Sequence, residues 1–251
     1  MTIQNKKYGW KPDLPDFRDR QIHFQRDIAL PPLIDLRPEM PPVYDQGNLG
    51  SCTANAIGAA FSHELIKQNI STFTPSRLFI YYNERDMEGT INSDAGAEIR
   101  DGIKSLTKWG VCGEDVWPYD ISKFTHKPSD LAYLLAKKDL LVQYQRVAQD
   151  SNAIGQILNQ GWPVTIGFTV YESFESKEVA QNGILPMPSQ DESILGGHAV
   201  LIVGIDFDKK MFIVRNSWGS DWGQAGYFMA PFDYFCNQDL ASDLWVIQSV
   251  T

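Results

Sequence analysis

The order of local patterns along the chain predicts an α+β fold, helices first and strands later. Two observations carry that expectation. Small and apolar residues recur at helical spacing from residue 52 to about 69. Beyond Trp117-Pro118-Tyr119 the chain changes to runs rich in β-branched and aromatic residues, the composition of strands.

Residues 1–32 differ in character from the rest of the chain. Lys11-Pro12-Asp13-Leu14-Pro15-Asp16, a charged stretch and Pro31-Pro32 suit extended or turn backbone, because proline restricts both itself and the residue before it. Tyr8, Trp10 and Phe17 predict that this segment docks somewhere. In the helix from residue 52, Ala56, Ala59, Ala60, Leu65 and Ile66 set the period, and the alanines predict burial deep enough to need small side chains. A second helix is expected over 75–87, with Pro75 near its first turn and Phe79, Tyr82 and Met87 facing inward. A third is expected over 97–108. Strands are expected at 140–147, 163–170, 199–205, 211–215, 227–230 and 245–249, with a short helix over 151–160 capped by Ser151. This divides the body into a helical half, about 45–118, and a β-rich half, about 119–251. No internal repeat or low-complexity tract is present.

With 251 residues and seven tryptophans, the chain can bury a substantial core. A net charge of −9 and no basic block argue against nucleic acid as a partner, since phosphate binding needs clustered Lys and Arg. No run approaches the about 20 apolar residues that span a membrane, and none in the first thirty residues has signal-peptide length. The three cysteines, Cys52, Cys112 and Cys236, are too few for a disulfide scaffold and fit a reducing, cytoplasmic compartment. Cys112 and Cys236 are expected to be unpaired buried thiols. Neither they nor the four histidines show metal-ligand spacing, so no metal or cofactor is expected.

Gln46-Gly47-Asn48-Leu49-Gly50-Ser51-Cys52 places one cysteine at the start of a helix, behind two glycines and a glutamine. There, unpaired N–H groups and the positive end of the helix dipole favour a thiolate. The same N–H groups can hold an oxyanion, and the Gln46 amide is a second donor. Gly196-Gly197-His198-Ala199-Val200 and Asn216-Ser217-Trp218-Gly219-Ser220-Asp221-Trp222-Gly223 lie downstream, with His198 and Asn216 falling 146 and 164 residues after Cys52. His63 is too far along the helix from Cys52 for proton transfer, and His23 and His126 are expected to be solvated.

In this order the three segments resemble the papain family of cysteine peptidases, in which His and Asn follow the nucleophile by about 130–150 residues. Ile34-Asp35-Leu36-Arg37, Ala95-Gly96 and Trp109-Gly110-Val111 extend the resemblance over about 33–250. Two positions depart from the pattern: Leu49 stands where a disulfide cysteine is usual, and Thr53 replaces an aromatic. The resemblance implies a helical lobe and an antiparallel β-barrel-like lobe with a cleft between them. It implies peptide hydrolysis by a Cys52–His198 thiolate–imidazolium pair through a thioester, with Asn216 orienting the imidazole and Gln46 in the oxyanion hole. Gly96, Gly197 and Trp218 become the candidate substrate-binding residues, and Glu98 a charged contributor to the pocket for the second residue before the scissile bond. Transpeptidase or amidase chemistry, or a papain-fold binding protein, are the alternatives. The family carries an inhibitory pro-segment along the cleft. Residues 1–32 are short and lack its helical pattern, which favours a surface strap over intramolecular inhibition.

Overall fold

Small residues decide where the first helix can go. In the computed structural model, which describes residues 6–24, 28–70 and 72–251, α1 (Cys52–Lys67) is buried without interruption from Cys52 to Leu65. Its alanines and Gly58 let other elements close in, and it packs against α2 (Arg77–Glu88), α3 (Ile99–Trp109) and the sheet. Residues 1–5 and 25–27 of the N-terminal segment lie outside the described residues.

The second helix starts two residues later than the sequence predicts. Pro75 precedes the helix, and Ser76 caps it by accepting from the Phe79 N–H at 3.1 Å. Gly89, at φ +70°, ends it. Phe79 and Tyr82 face inward as expected; Met87, in the last turn beyond the packed face, is 37% exposed. The third helix also begins late. Ala97 and Glu98 form β3 (Ala97–Glu98), paired in parallel with β1 (Trp10–Lys11) of the N-terminal segment, so their backbone groups are used in a strand. An unforeseen helix, α4 (Asp130–Ala136), is capped by Ser129; it buries Ala132 and Ala136 while exposing Leu131 and Leu134, which hides its period in the sequence.

The β-rich half contains β4 (Leu141–Arg146), α5 (Ser151–Asn159), β5 (Val164–Tyr171), α6 (Lys177–Asn182), β6 (Ile194–Asp206), β7 (Met211–Arg215), β8 (Tyr227–Pro231), α7 (Phe232–Phe235) and β9 (Ala241–Val250). Asp150, not Ser151, caps α5. The strands form one antiparallel sheet in the order β4-β9-β5-β6-β7-β8, and β2 (Leu33–Asp35) pairs with the end of β6. The sheet stays open at β4 and β8, so the lobe is not a closed barrel. Phe168, Phe174, Phe212, Phe228 and Phe235 fill the space behind it. Between Thr165 and Gly167 the β5–β9 register shifts, and Asp243 takes a φ of +58°. All three cysteines are free thiols. No helix among the described residues is long and apolar enough to cross a membrane.

Candidate active site

Cys52 is the first residue of α1, and its side chain is fully buried. The backbone N–H groups of Ala199, Gly9 and Thr53 reach its sulfur. Ala199 follows His198 on β6, so the strand that carries the imidazole meets the helix that carries the thiol. Thr53, the departure after the cysteine, turns away and donates to Glu84 Oε1 of α2 at 2.6 Å.

The His198 ring is fixed from two sides. Its Nε2 lies 2.9 Å from Asn216 Oδ1, which also accepts the Ser217 N–H at 2.8 Å. A carbonyl oxygen only accepts, so the neutral ring carries its proton on Nε2 and leaves Nδ1 as the basic nitrogen. Nδ1 has no hydrogen-bond partner among the described residues. Trp218 stacks on the ring at 5.1 Å between centroids and 28° between planes, covering the His198–Asn216 bond.

Gln46 is held from both ends. Its Oε1 accepts from Ser217 Oγ at 2.6 Å, and its backbone N–H donates to the Ser217 carbonyl at 2.8 Å. Its Nε2 donates to the Leu49 carbonyl at 2.9 Å and to the Lys7 carbonyl at 3.1 Å. Gly47 makes the turn at φ +61° that brings the loop back to the helix.

Lys7 belongs to the N-terminal segment, which crosses the cleft instead of lying elsewhere on the surface. This overturns the expectation of a surface strap. Tyr8 meets the His198 ring edge-on at 5.9 Å and hydrogen-bonds Glu175. Gly9 packs so closely on the Gly50 backbone that a Cβ there would overlap the Gly50 carbonyl, and its own carbonyl accepts the Ala97 N–H at 2.7 Å. Gly96, at φ +69°, lies against the Gly9 backbone, and a Cβ on Gly197 would come within 2.5 Å of the Trp10 carbonyl. The glycines singled out in the sequence for close approach of a peptide are therefore occupied by one. Trp10 is buried, whereas Phe17 is 98% exposed, so two of the three aromatics dock. The strap's role was legible only as Tyr8-Gly9-Trp10, a glycine between two aromatics; which surface it meets is long-range information.

Burial sets the protonation of the pair. Burial, outweighing the N–H groups at the sulfur, pushes the Cys52 thiol up to about 11. Burial also pushes His198 down to about 4 against the Asn216 hydrogen bond. With the strap in place the site holds a neutral thiol and a neutral imidazole. Among the described residues no group of His, Cys, Asp and Glu could hold a metal ion.

Known proteins resemble this chain in sequence and fold. The family model described as papain family cysteine protease matches residues 30–238. A peptidase C1-like protein of Acanthamoeba polyphaga mimivirus is 44% identical over 98% of this chain and 88% of its own length. Pro-cathepsin H of Bos taurus is 26% identical over 89% of this chain and 67% of its own. Among solved structures, xylellain, a cysteine protease from Xylella fastidiosa, superposes with a TM-score of 0.92 at 44% identity, covering 99% of this chain and 98% of its own. Procathepsin B of Trypanosoma congolense shares the fold, with a TM-score of 0.74 at 18% identity over 96% of this chain and 85% of its own.

Proposed function

The chain belongs to the papain family of cysteine proteases, and on that premise we propose that Cys52, His198, Asn216 and Gln46 carry its endopeptidase reaction. The Cys52 thiol passes its proton to His198 Nδ1 and attacks the scissile carbonyl carbon. The oxyanion is held by Gln46 Nε2 and by the Cys52 backbone N–H, which as the first in its helix needs no intrahelical partner. His198 then gives the proton to the leaving amine, and a thioester remains. Water, deprotonated by the same nitrogen, hydrolyses it. Gly96 and Gly197 let the substrate backbone approach, and Trp218 shields the bond that fixes the ring. The observation that carries the assignment is the His198 ring bonded to Asn216 and covered by Trp218, with the next residue's N–H on the Cys52 sulfur. Cys52→Ala should abolish hydrolysis of every peptide in a library that the unaltered chain cleaves; any cleavage retained above background would remove the assignment.

Residues 1–32 act as a regulatory extension of the peptidase domain at 33–251. The support is the Lys7 carbonyl on the oxyanion-hole amide and the Gly9 N–H on the sulfur. With a carbonyl on the Gln46 amide and an N–H at the sulfur, the strap fills the cleft where a substrate backbone would lie. Its departure admits water and substrate, and the thiolate–imidazolium pair forms then.

A further inference from the structure

Trp10 is the strap's deepest side chain near the thiol, and the pocket that holds it is built from three parts. Gly167 of β5 and Gly197 of β6 form its wall: a Cβ on Gly167 would overlap the indole itself, and one on Gly197 would come within 2.7 Å of it. At the far end, Asp243 Oδ2 accepts from the indole Nε1 at 3.1 Å and from the Asp13 backbone N–H at 2.8 Å. Asp243 is buried, and it reaches this position from a β9 residue at φ +58° beside a register shift in the β5–β9 pairing. Such a conformation is costly for a non-glycine residue, and bulges re-aim side chains at sites.

Displacing the strap changes what surrounds this carboxylate. Asp243 loses both N–H donors and keeps only Arg146 Nη1, at 3.4 Å. Arg146 in turn loses Asp13 and Asp19, its partners at 2.9 and 2.8 Å on the strap. The vacated pocket is thus wide, flat-walled and closed by a buried acceptor that already faces one cation. Glu98, the sequence candidate for charge here, is engaged by Arg100 at 3.2 Å and by the Leu14 N–H at 3.4 Å.

We infer that Asp243, with Gly167 and Gly197, makes this pocket selective for polypeptides carrying a large flat side chain with a neutral N–H donor, tryptophan above all, beside the scissile bond. The inference rests on the proposed endopeptidase reaction and names the substrate class of its site. A phenylalanine or leucine would fill the volume but leave Asp243 Oδ2 without a donor, Arg146 serving only Oδ1, and discrimination by an unpaired polar atom is steep. An arginine would add a second cation beside Arg146.

The test uses the full chain carrying Gly9→Ala, which lifts the blocking residues, together with Trp10→Ala, which removes the indole, and peptides differing only at the second residue before the scissile bond. Hydrolysis is measured beside the rate at which peptidyl chloromethyl ketones of the same series alkylate Cys52. Tryptophan should exceed phenylalanine and leucine by about tenfold or more in both readouts. Adding Asp243→Ala should bring the ratio near one, and Asp243→Asn, which keeps an acceptor, should restore part of it. Gly167→Val should shift preference to small side chains even if the Asp243 variants fail to fold. Preference for leucine, phenylalanine or arginine, or a tryptophan preference indifferent to both positions, would overturn the inference. Ranked alkylation without cleavage of any peptide would leave the pocket assignment standing and remove the reaction on which it rests.

Discussion

The two halves of the strap are held by different physics. Residues 6–10 meet the cleft mainly through backbone and rings, with the Lys7 carbonyl on Gln46, Tyr8 on His198, the Gly9 N–H at the thiol and Trp10 in its pocket, while Lys6 and Lys7 add the ion pairs to Asp45 and Asp94. Residues 13–19 meet the body through buried charge. Asp13 accepts from Arg146 at 2.9 Å, from the Trp245 indole at 2.9 Å and from the Arg100 N–H at 3.1 Å, and Asp19 pairs with Arg100 and Arg146 at 3.1 and 2.8 Å. The first half blocks and the second half holds. Contacts of the first kind depend on shape and should break with one added carbon, whereas contacts of the second kind should respond to pH.

The largest expected effect tests where blocking and chemistry share a residue. Gln46→Ala removes a strap contact and the proposed oxyanion donor together, and it should still lower kcat by about 10²–10³ with little change in KM, because such a donor matters most in the transition state. If losing the strap contact outweighed losing the donor, steady-state kinetics would show a gain instead. Next comes Gly9→Ala. Its Cβ has no room beside the Gly50 carbonyl, so the blocking half should lift and peptide turnover by the full chain should rise about 10- to 100-fold, the scale of an overpacked contact. An unchanged rate would mean that the strap leaves the cleft freely.

The holding half should give the pH dependence. The closed pair carries one proton, on sulfur, and the open ion pair also carries one, so opening exchanges none there near neutrality. Asp13 differs: burial first, then the charge of Asp243, push its carboxyl from 3.8 up to about 7, against the Arg100 N–H, Trp245 and Arg146. Docking is strongest at low pH, where the buried Asp13–Asp243 pair takes up a proton and ceases to repel itself, and it weakens as pH rises through about 7. Turnover by the full chain should therefore climb between pH 4 and 7 by about tenfold, and Asp13→Asn should flatten the climb. A climb that survives the substitution would place the responsible group elsewhere. The smallest effect belongs to Phe17→Ser, at a side chain 98% exposed, where the change in turnover should stay within about twofold.

What could be read from the sequence divides along the same line. Cys52, His198, Asn216 and Gln46 sit in short segments whose local chemistry already states a purpose: a helix start, glycines for close approach, an amide ready to donate. The helices at residues 52 and 77 and most strands were legible because their periods are local. The strap's destination was not, since docking in the cleft is decided by pairing Trp10 with Ala97 and Asp13 with Arg146, far apart in the chain. Asp243 was invisible for a related reason. It becomes a pocket residue only because β9 shifts register and turns it through a positive φ. The reading of the cysteine was incomplete about water: the Thr53 N–H at the helix start reaches the sulfur, with those of Ala199 and the strap's own Gly9, but burial outweighs all three.

The central claim is that the strap keeps the nucleophile neutral by covering it. The most direct measurement is the rate of Cys52 alkylation by iodoacetamide against pH, followed by peptide mapping in the full chain and in Gly9→Ala. The full chain should react slowly at pH 6, with a rate still rising toward about pH 11, and Gly9→Ala should react rapidly at pH 6 and level off. Equal, rapid reaction of both at pH 6 would contradict the account.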